Sequence, residues 1–402
     1  MNKNKINRLL SSVTFFLFFI ISLPALASSQ TNIVTDILFI AYDQGESSAF
    51  IELHKQLDKE GTPYRVLAMG KAKEIFSHHP GLLLLDDDIT PDNHRLDRNL
   101  LLDKPKLKLF TDKISAPIIY GGMASRAQAQ LINTLASSQR RTIGFYDNFD
   151  SVEEKDYTRP FLQELDQIDE FHVPSHLTAK SFKNIAANMQ AKVVVTGQPA
   201  LEGWNQVFQN ADRAALRNHL GISHSQKIIV FSGGYDDTYP ASFELFMQAT
   251  QLSPDTLFLV THHPKYSGEL ETKIITKYSN GNVRLIKNGT FSTTELSTIA
   301  SKVIVHKSSV AQQALYQGIP SLYIADNSFN NLMIKHGLAK KAYSPEDIHA
   351  WVDEKIRQQT AQFSTILGMP EQPIRYTISL LKIFLTQYHE SVRKNNLPDF
   401  NL

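Results

Sequence analysis

Five short stretches carry side chains suited to holding an anion or moving a proton. They are Gly233-Gly234 after KIIVFS, His262-His263-Pro264 after TLFLVT, Ser308-Ser309 after KVIVHK, Asp43 after ILFIAY, and Asp147 after RTIGFY. Pro264 fixes its own backbone and pushes His263 into an extended conformation, so one imidazole leaves the strand end at a set angle. A histidine there donates a charge-assisted hydrogen bond to a phosphoryl oxygen or acts as a general acid. Ser308 and Ser309 stand just before a helix expected from Val310, where hydroxyls and unpaired N–H groups favour an anion. Gly233 and Gly234 let the backbone approach such a group closely. Each stretch also has an ordinary structural reading as a turn, a helix cap or a surface histidine. Their recurrence at three strand ends in one half of the chain is what points to a phosphate-bearing ligand. Asp147 is the preferred general base, because FYDNFD is polar and aromatic together, and Asp43 is the second candidate. Asp147 serves equally well as an N-cap or loop residue.

These residues need a scaffold that collects strand ends. From Asp36 onward, short runs of Ile, Val, Leu and Phe alternate with amphipathic stretches, and runs apolar at every position suit parallel strands buried on both faces. ILFIAY, YRVLA, LLLL, APIIY, RTIGFY, EFHVP and KVVVTG are the strand candidates before residue 200; KIIVFSGG, TLFLVTHHP, NVRLIKN, KVIVHKSS and PSLYIADN follow. Helical patterns fall between them, for example over 47–60, 125–137, 176–188, 241–252 and 345–357. The alternation predicts an α/β protein with two Rossmann-like doubly wound parallel-sheet domains. The first spans 36–196 and the second 227–370. TGQPALEGWNQVFQN interrupts the rhythm with Gly197, Pro199 and Gly203, so 197–226 reads as a linker with a hinge near 197–203. Residues 371–402 form a closing helix and tail.

The chain has 402 residues, 41 Lys plus Arg against 40 Asp plus Glu, and no cysteine. That balance gives no field favouring nucleic acid, and the missing thiol excludes disulfides, thiolate catalysis and cysteine-based metal sites. His78-His79 has no partner at ligand spacing and Asp86 to Asp88 reads as a solvated loop, so no metal and no cofactor is assigned. The start is basic, then apolar from Val13 to Leu23, then Pro24 and the small residues Ala25 and Ala27. This is the layout of a signal peptide over 1–27, which predicts an exported, periplasmic or secreted protein with no stable membrane span once the leader is cut.

HKSSVAQQALYQGIPSLYI resembles the strand-helix-strand segment of GT-B fold glycosyltransferases and of UDP-N-acetylglucosamine 2-epimerases, and VVVTGQPALEG resembles the linker between their two halves. His263-Pro264 with Ser308-Ser309 resembles the His-Pro and Ser-Ser elements of bacterial sialyltransferases and of capsule or teichoic-acid polymer transferases, where they hold the nucleotide phosphate. The resemblance implies two domains facing across a cleft, the acceptor on the first and the donor phosphate on the second. It departs at Gln313, where many such enzymes carry a glutamate for the ribose. Glutamine still bonds hydroxyls but without the charge. The implied activity is a metal-independent glycosyltransferase moving a sugar or sugar-phosphate from a nucleotide-sugar or lipid-linked donor to a saccharide or protein acceptor. The donor phosphate would rest on Gly233, Gly234, His263, Pro264, Ser308 and Ser309. The alternative is an exported, non-catalytic protein of the same fold that binds a saccharide or an envelope polymer. Mass spectrometry of the exported protein should find Ser28 at the N-terminus. A chain that retains Val13 to Leu23 would instead be anchored by it.

Overall fold

The computed structural model describes residues 32–395 apart from 87, 90–96, 264–265, 279–280, 288 and 357–359. The leader and Pro264 lie outside the described residues. In chain order the strands of the first half are β1 (Ile33–Val34), β2 (Ile37–Ala41), β3 (Tyr64–Ala68), β4 (Leu82–Leu83), β5 (Ile114–Ser115), β6 (Ile118–Gly122), β7 (Arg141–Phe145), β8 (Glu170–Val173) and β9 (Lys192–Val195). Seven of them make one parallel sheet in the order β4-β3-β2-β6-β7-β8-β9, and β1 pairs with β5 beside it. The second half supplies β10 (Lys227–Ser232), β11 (Thr256–Thr261), β12 (Val283–Ile286), β13 (Lys302–Val305), β14 (Ser321–Tyr323) and β15 (Lys340–Lys341). These form a second parallel sheet ordered β12-β11-β10-β13-β14-β15. β2 is buried at every position, as its unbroken apolar run demands when helices cover both faces. The α/β class with two parallel-sheet halves is the one the periodicity predicts.

In both sheets the order reverses beside a central strand, β2 in the first and β10 in the second. Ligands of such sheets bind at that crevice, beyond the carboxyl ends. Asp43 follows β2 and Gly233-Gly234 follow β10, so the fold aims both loops at that position.

Three local features depart from the sequence reading. The first helix begins at Gln44 because the side chain of Asp43 caps it, and Glu46 completes a capping box. The interval read as a linker holds two helices, Pro199–Asn210 and Arg213–His219. Gly203 sits inside the former without breaking it, since a methyl there would come within 2.3 Å of the Glu52 carboxyl group packed against the helix. Within this interval Gly197, at φ 81°, and Gly221, at φ 62°, take the left-handed conformation a non-glycine residue resists.

The last helix, Pro373–Asn395, closes the first half, not the second. Ile374, Ile378, Leu381 and Leu385 fall on one helical face and share a core with Ile37, Phe39 and Phe50 of the first sheet and its first helix. The chain therefore crosses between halves twice. No helix among the described residues is long and apolar enough to cross a membrane. Leu381→Ala removes a fully buried side chain and should cost about 2–5 kcal/mol of stability. Urea unfolding should show the loss in the transition of the first half; an unchanged midpoint would mean that this helix is not part of its core.

Candidate active site

Asp43 and Asp147, separated by about a hundred positions in the chain, meet at the start of the first helix. Asp43 accepts from Gln44 N at 2.8 Å and pairs with Arg98. The Asp147 carboxyl group packs on Gly45, where a methyl group would lie 1.7 Å from its Oδ2. Tyr157 donates to Asp147 Oδ1 at 3.2 Å, and the Arg98 guanidinium lies 5.3 Å from the Tyr157 ring centroid. Beneath both aspartates Glu46 is fully buried. Its Oε1 accepts from Tyr42 N at 2.7 Å, Asp43 N at 3.0 Å and Gln128 Nε2 at 2.7 Å.

The three carboxylates do not ionise alike. Burial pushes Glu46 up to about 8, with the charges of Asp147 and Asp43 adding to the effect and the backbone hydrogen bonds opposing it. Burial therefore favours the protonated form of Glu46 near neutral pH. Burial and then the charge of Asp43 raise Asp147 to about 6, against the hydrogen bond from Tyr157 and the charge of Arg98. Asp147 is only half-buried, so at neutral pH it is an ionised carboxylate within reach of solvent and matched to removing a hydroxyl proton.

On the second half, the loop between β10 and the Tyr239–Gln251 helix lies between the ends of β11 and β13. Tyr235 of that loop packs on His263, with ring centroids 4.5 Å apart. Asp236, the next residue, accepts from His306 at 2.9 Å and pairs with Lys307 at 2.9 Å. Lys307 also pairs with Asp326. Burial works to raise Asp236, but hydrogen bonds from Lys307, Thr238 and His306 outweigh it and hold this carboxyl well below the usual range. Gly234 is obligatory here, because a Cβ would meet the His306 ring at 2.5 Å.

His262 is buried, and Gly268 packs closely on its ring, whereas His263 is half-buried and reaches the rim. Ser308 accepts from Val310 N at 3.2 Å; Ser309 is exposed and its side chain makes no capping bond. The ends of β11 and β13 are two strand spacings apart, roughly 10 Å, with β10 between them. That gap is bridged by a single loop. Gln313 accepts from Thr294 at 3.0 Å through its side-chain oxygen.

The two halves meet by their carboxyl ends. Asp150, in the loop after β7, accepts from Leu332 N at 2.9 Å, beyond β14, and Phe149 packs edge-on against Phe363 at 5.6 Å. The loop that carries Asp147 is thus seated against the second half.

Glu46, Arg98, Tyr157, Asp236, His306 and Lys307 were not singled out from sequence. Asp43-x-x-Glu46 is a capping-box pattern and carried a usable signal. Arg98 carried none, since only the fold brings it 55 residues back to Asp43.

The model of the CDP-Glycerol:Poly(glycerophosphate) glycerophosphotransferase family matches residues 34–311. The chain belongs to that family. It is therefore a transferase, and its architecture is GT-B. The fold is similar to that of UDP-GlcNAc 2-epimerase from Methanocaldococcus jannaschii, with a TM-score of 0.64 and 10% identity over 87% of this chain and 99% of that one. The epimerase from Neisseria meningitidis bound to UDP-GlcNAc gives 0.60 and 11% over 90% and 100%. The wall teichoic acid polymerase TagF, solved with CDPG, gives 0.55 and 13% over 88% and 89%. No curated protein sequence matches. The resemblance to GT-B enzymes and to teichoic-acid polymer transferases holds.

Asp147→Asn should lower turnover by at least 100-fold while leaving the fold intact, and the wild-type rate should rise through an apparent pKa near 6. The sign for stability is opposite. A carboxyl raised in the folded state binds more protons there than in the unfolded chain, so stability falls as pH rises from about 4 to 6. Asp147→Asn should therefore be the more stable protein at pH 7.5, with an advantage that shrinks toward pH 4 in urea melts. A variant that is inactive but less stable at pH 7.5 would argue for a purely structural aspartate.

Proposed function

We propose that this protein transfers a polyol-phosphate or sugar-phosphate group from a nucleotide-linked donor to a hydroxyl of an envelope polymer. The observation that carries the reading is Asp147, an ionisable half-buried carboxylate on the carboxyl end of the first sheet, opposite the strand-end loops of the second. The acceptor oxygen attacks the donor phosphorus, the P–O bond to the nucleoside monophosphate breaks, and Asp147 takes the acceptor proton. Arg98 and Tyr157 hold the base in place. His263, Ser308, Ser309 and the backbone at Gly233 and Gly234 would bind the departing phosphate. This reading draws the donor class from the family and from the CDPG and UDP-GlcNAc in two of the similar structures. Export by the leader belongs to the proposal as well, and would bring the enzyme to its polymer. Nucleotide-linked donors are cytosolic, so an exported enzyme then needs a donor supplied from elsewhere or linked to lipid.

One arrangement favours the second reading, a binding protein without turnover. Lys307, the strand-end cation nearest Ser308, is held between Asp236 and Asp326 and so is already neutralised. CDP-glycerol, UDP-GlcNAc and other nucleotide-linked donors should each be tested for thermal stabilisation and for release of nucleoside monophosphate. A ligand at a hundred times its Kd adds about 2.7 kcal/mol, and His263→Ala should abolish the shift. Stabilisation without product would select the binding protein. A panel that gives neither shift nor product would sink the transferase reading.

A further inference from the structure

A cavity of about 1130 Å³ lies away from these carboxylates, along the outer edge of the first sheet. β9 is the last strand of that sheet, and its Val193, Val194 and Val195 are half-buried where a neighbouring strand would otherwise cover them. One wall is the His176–Asn188 helix, from which His176, Lys180 and Lys183 project at positions i, i+4 and i+7, one face of the helix. The other wall is Ser364 and Thr365 of the second half and the crossing segment that follows. Gly368 joins the walls: its carbonyl accepts from His176 N at 3.2 Å, and its φ of 64° with the His176 ring against it leaves no room for a Cβ.

Charge and surface together select the occupant. No ion pair among the described residues engages Lys180 or Lys183, and both are exposed. Glu371 is the single carboxylate on the lining. Lysines three apart on a helix have Cβ atoms about 5–6 Å from each other, so their ammonium groups reach neighbouring phosphates of one chain. The valine floor, with Met369, suits the carbon segments between such phosphates, and the two hydroxyls of Ser364 and Thr365 suit their oxygens. A groove cationic along one wall, hydroxylated on the other and apolar beneath fits a flexible phosphodiester chain better than a neutral glycan, which brings no charge to either lysine.

We infer that this groove holds a stretch of the phosphodiester polymer that serves as acceptor, tethering it while its end reaches the transfer site. The inference rests on the proposed function for the identity of the polymer, though not for the existence of the site. Tethering would raise the local concentration of acceptor ends without any new contact at the reaction centre.

The test uses the full chain and a fluorescent glycerol phosphate oligomer freed of lipid, with dextran as the neutral polymer. Wild type should bind the oligomer and not dextran, and raising salt should weaken binding. Lys180→Glu/Lys183→Glu should bind at least about ten-fold more weakly. Its thermal melt and its response to CDP-glycerol should stay as in wild type, because both side chains are exposed. Asp147→Asn should keep oligomer binding. Equal binding by the double variant, or no binding by wild type, overturns the inference. If binding depends on the lysines but no donor is turned over, the groove stands and the transferase reading fails; turnover with lysine-independent binding gives the reverse.

Discussion

Like charge crowded at one helix start is the constraint around which the first half is arranged. Asp43, Glu46 and Asp147 crowd the start of one helix, with Arg98 as the nearby cation. Three ionised carboxylates there would cost more than one guanidinium and the helix N-terminus offset. The cluster resolves the conflict by keeping a proton on the deepest member, Glu46. Protonated Glu46 spares Asp147 a second full negative neighbour, which lets the half-buried aspartate ionise near neutrality. Gly45 is the geometric condition for the arrangement, since any side chain there would fill the space Asp147 occupies.

The second half solves a related problem differently. Asp236, His306, Lys307 and Asp326 are linked by hydrogen bonds and ion pairs, which tie the loop after β10 to the ends of β13 and β14. His306 also reaches the Ile324 carbonyl at 2.9 Å, tying the end of β13 to the end of β14. His263 and Ser309 stand beside these linked strand ends.

Much of this was legible locally. Unbroken apolar runs determine doubly covered parallel strands, because alternation would follow from one wet face, and this located twelve of the strands as sequence segments. Strand ends then named Asp43, Asp147, Gly233, Gly234, His263, Ser308 and Ser309 as residues at carboxyl-end loops. The helix inside 197–226 was less visible, since Gly203 and Pro199 look like breakers until Glu52 is seen packing where a Cβ would be and Pro199 is seen in the first turn. Gln313 was named only by the resemblance, as the counterpart of a ribose-binding glutamate, and the hydrogen bond it accepts from Thr294 crosses from another element, which no spacing rule reports.

By itself, then, the sequence determined the α/β class, the two-part order of strands, the residues at each strand end and the absence of any thiol chemistry. These follow from periodicity and composition, which act over a few residues at a time. Only the tertiary structure decided that Asp43 and Asp147 share one helix start, that Arg98 and Glu46 set their charge, and that the final helix returns to close the first sheet. Those outcomes depend on which distant segments exclude water together, and burial and Coulomb interaction read distance in space, not separation along the chain.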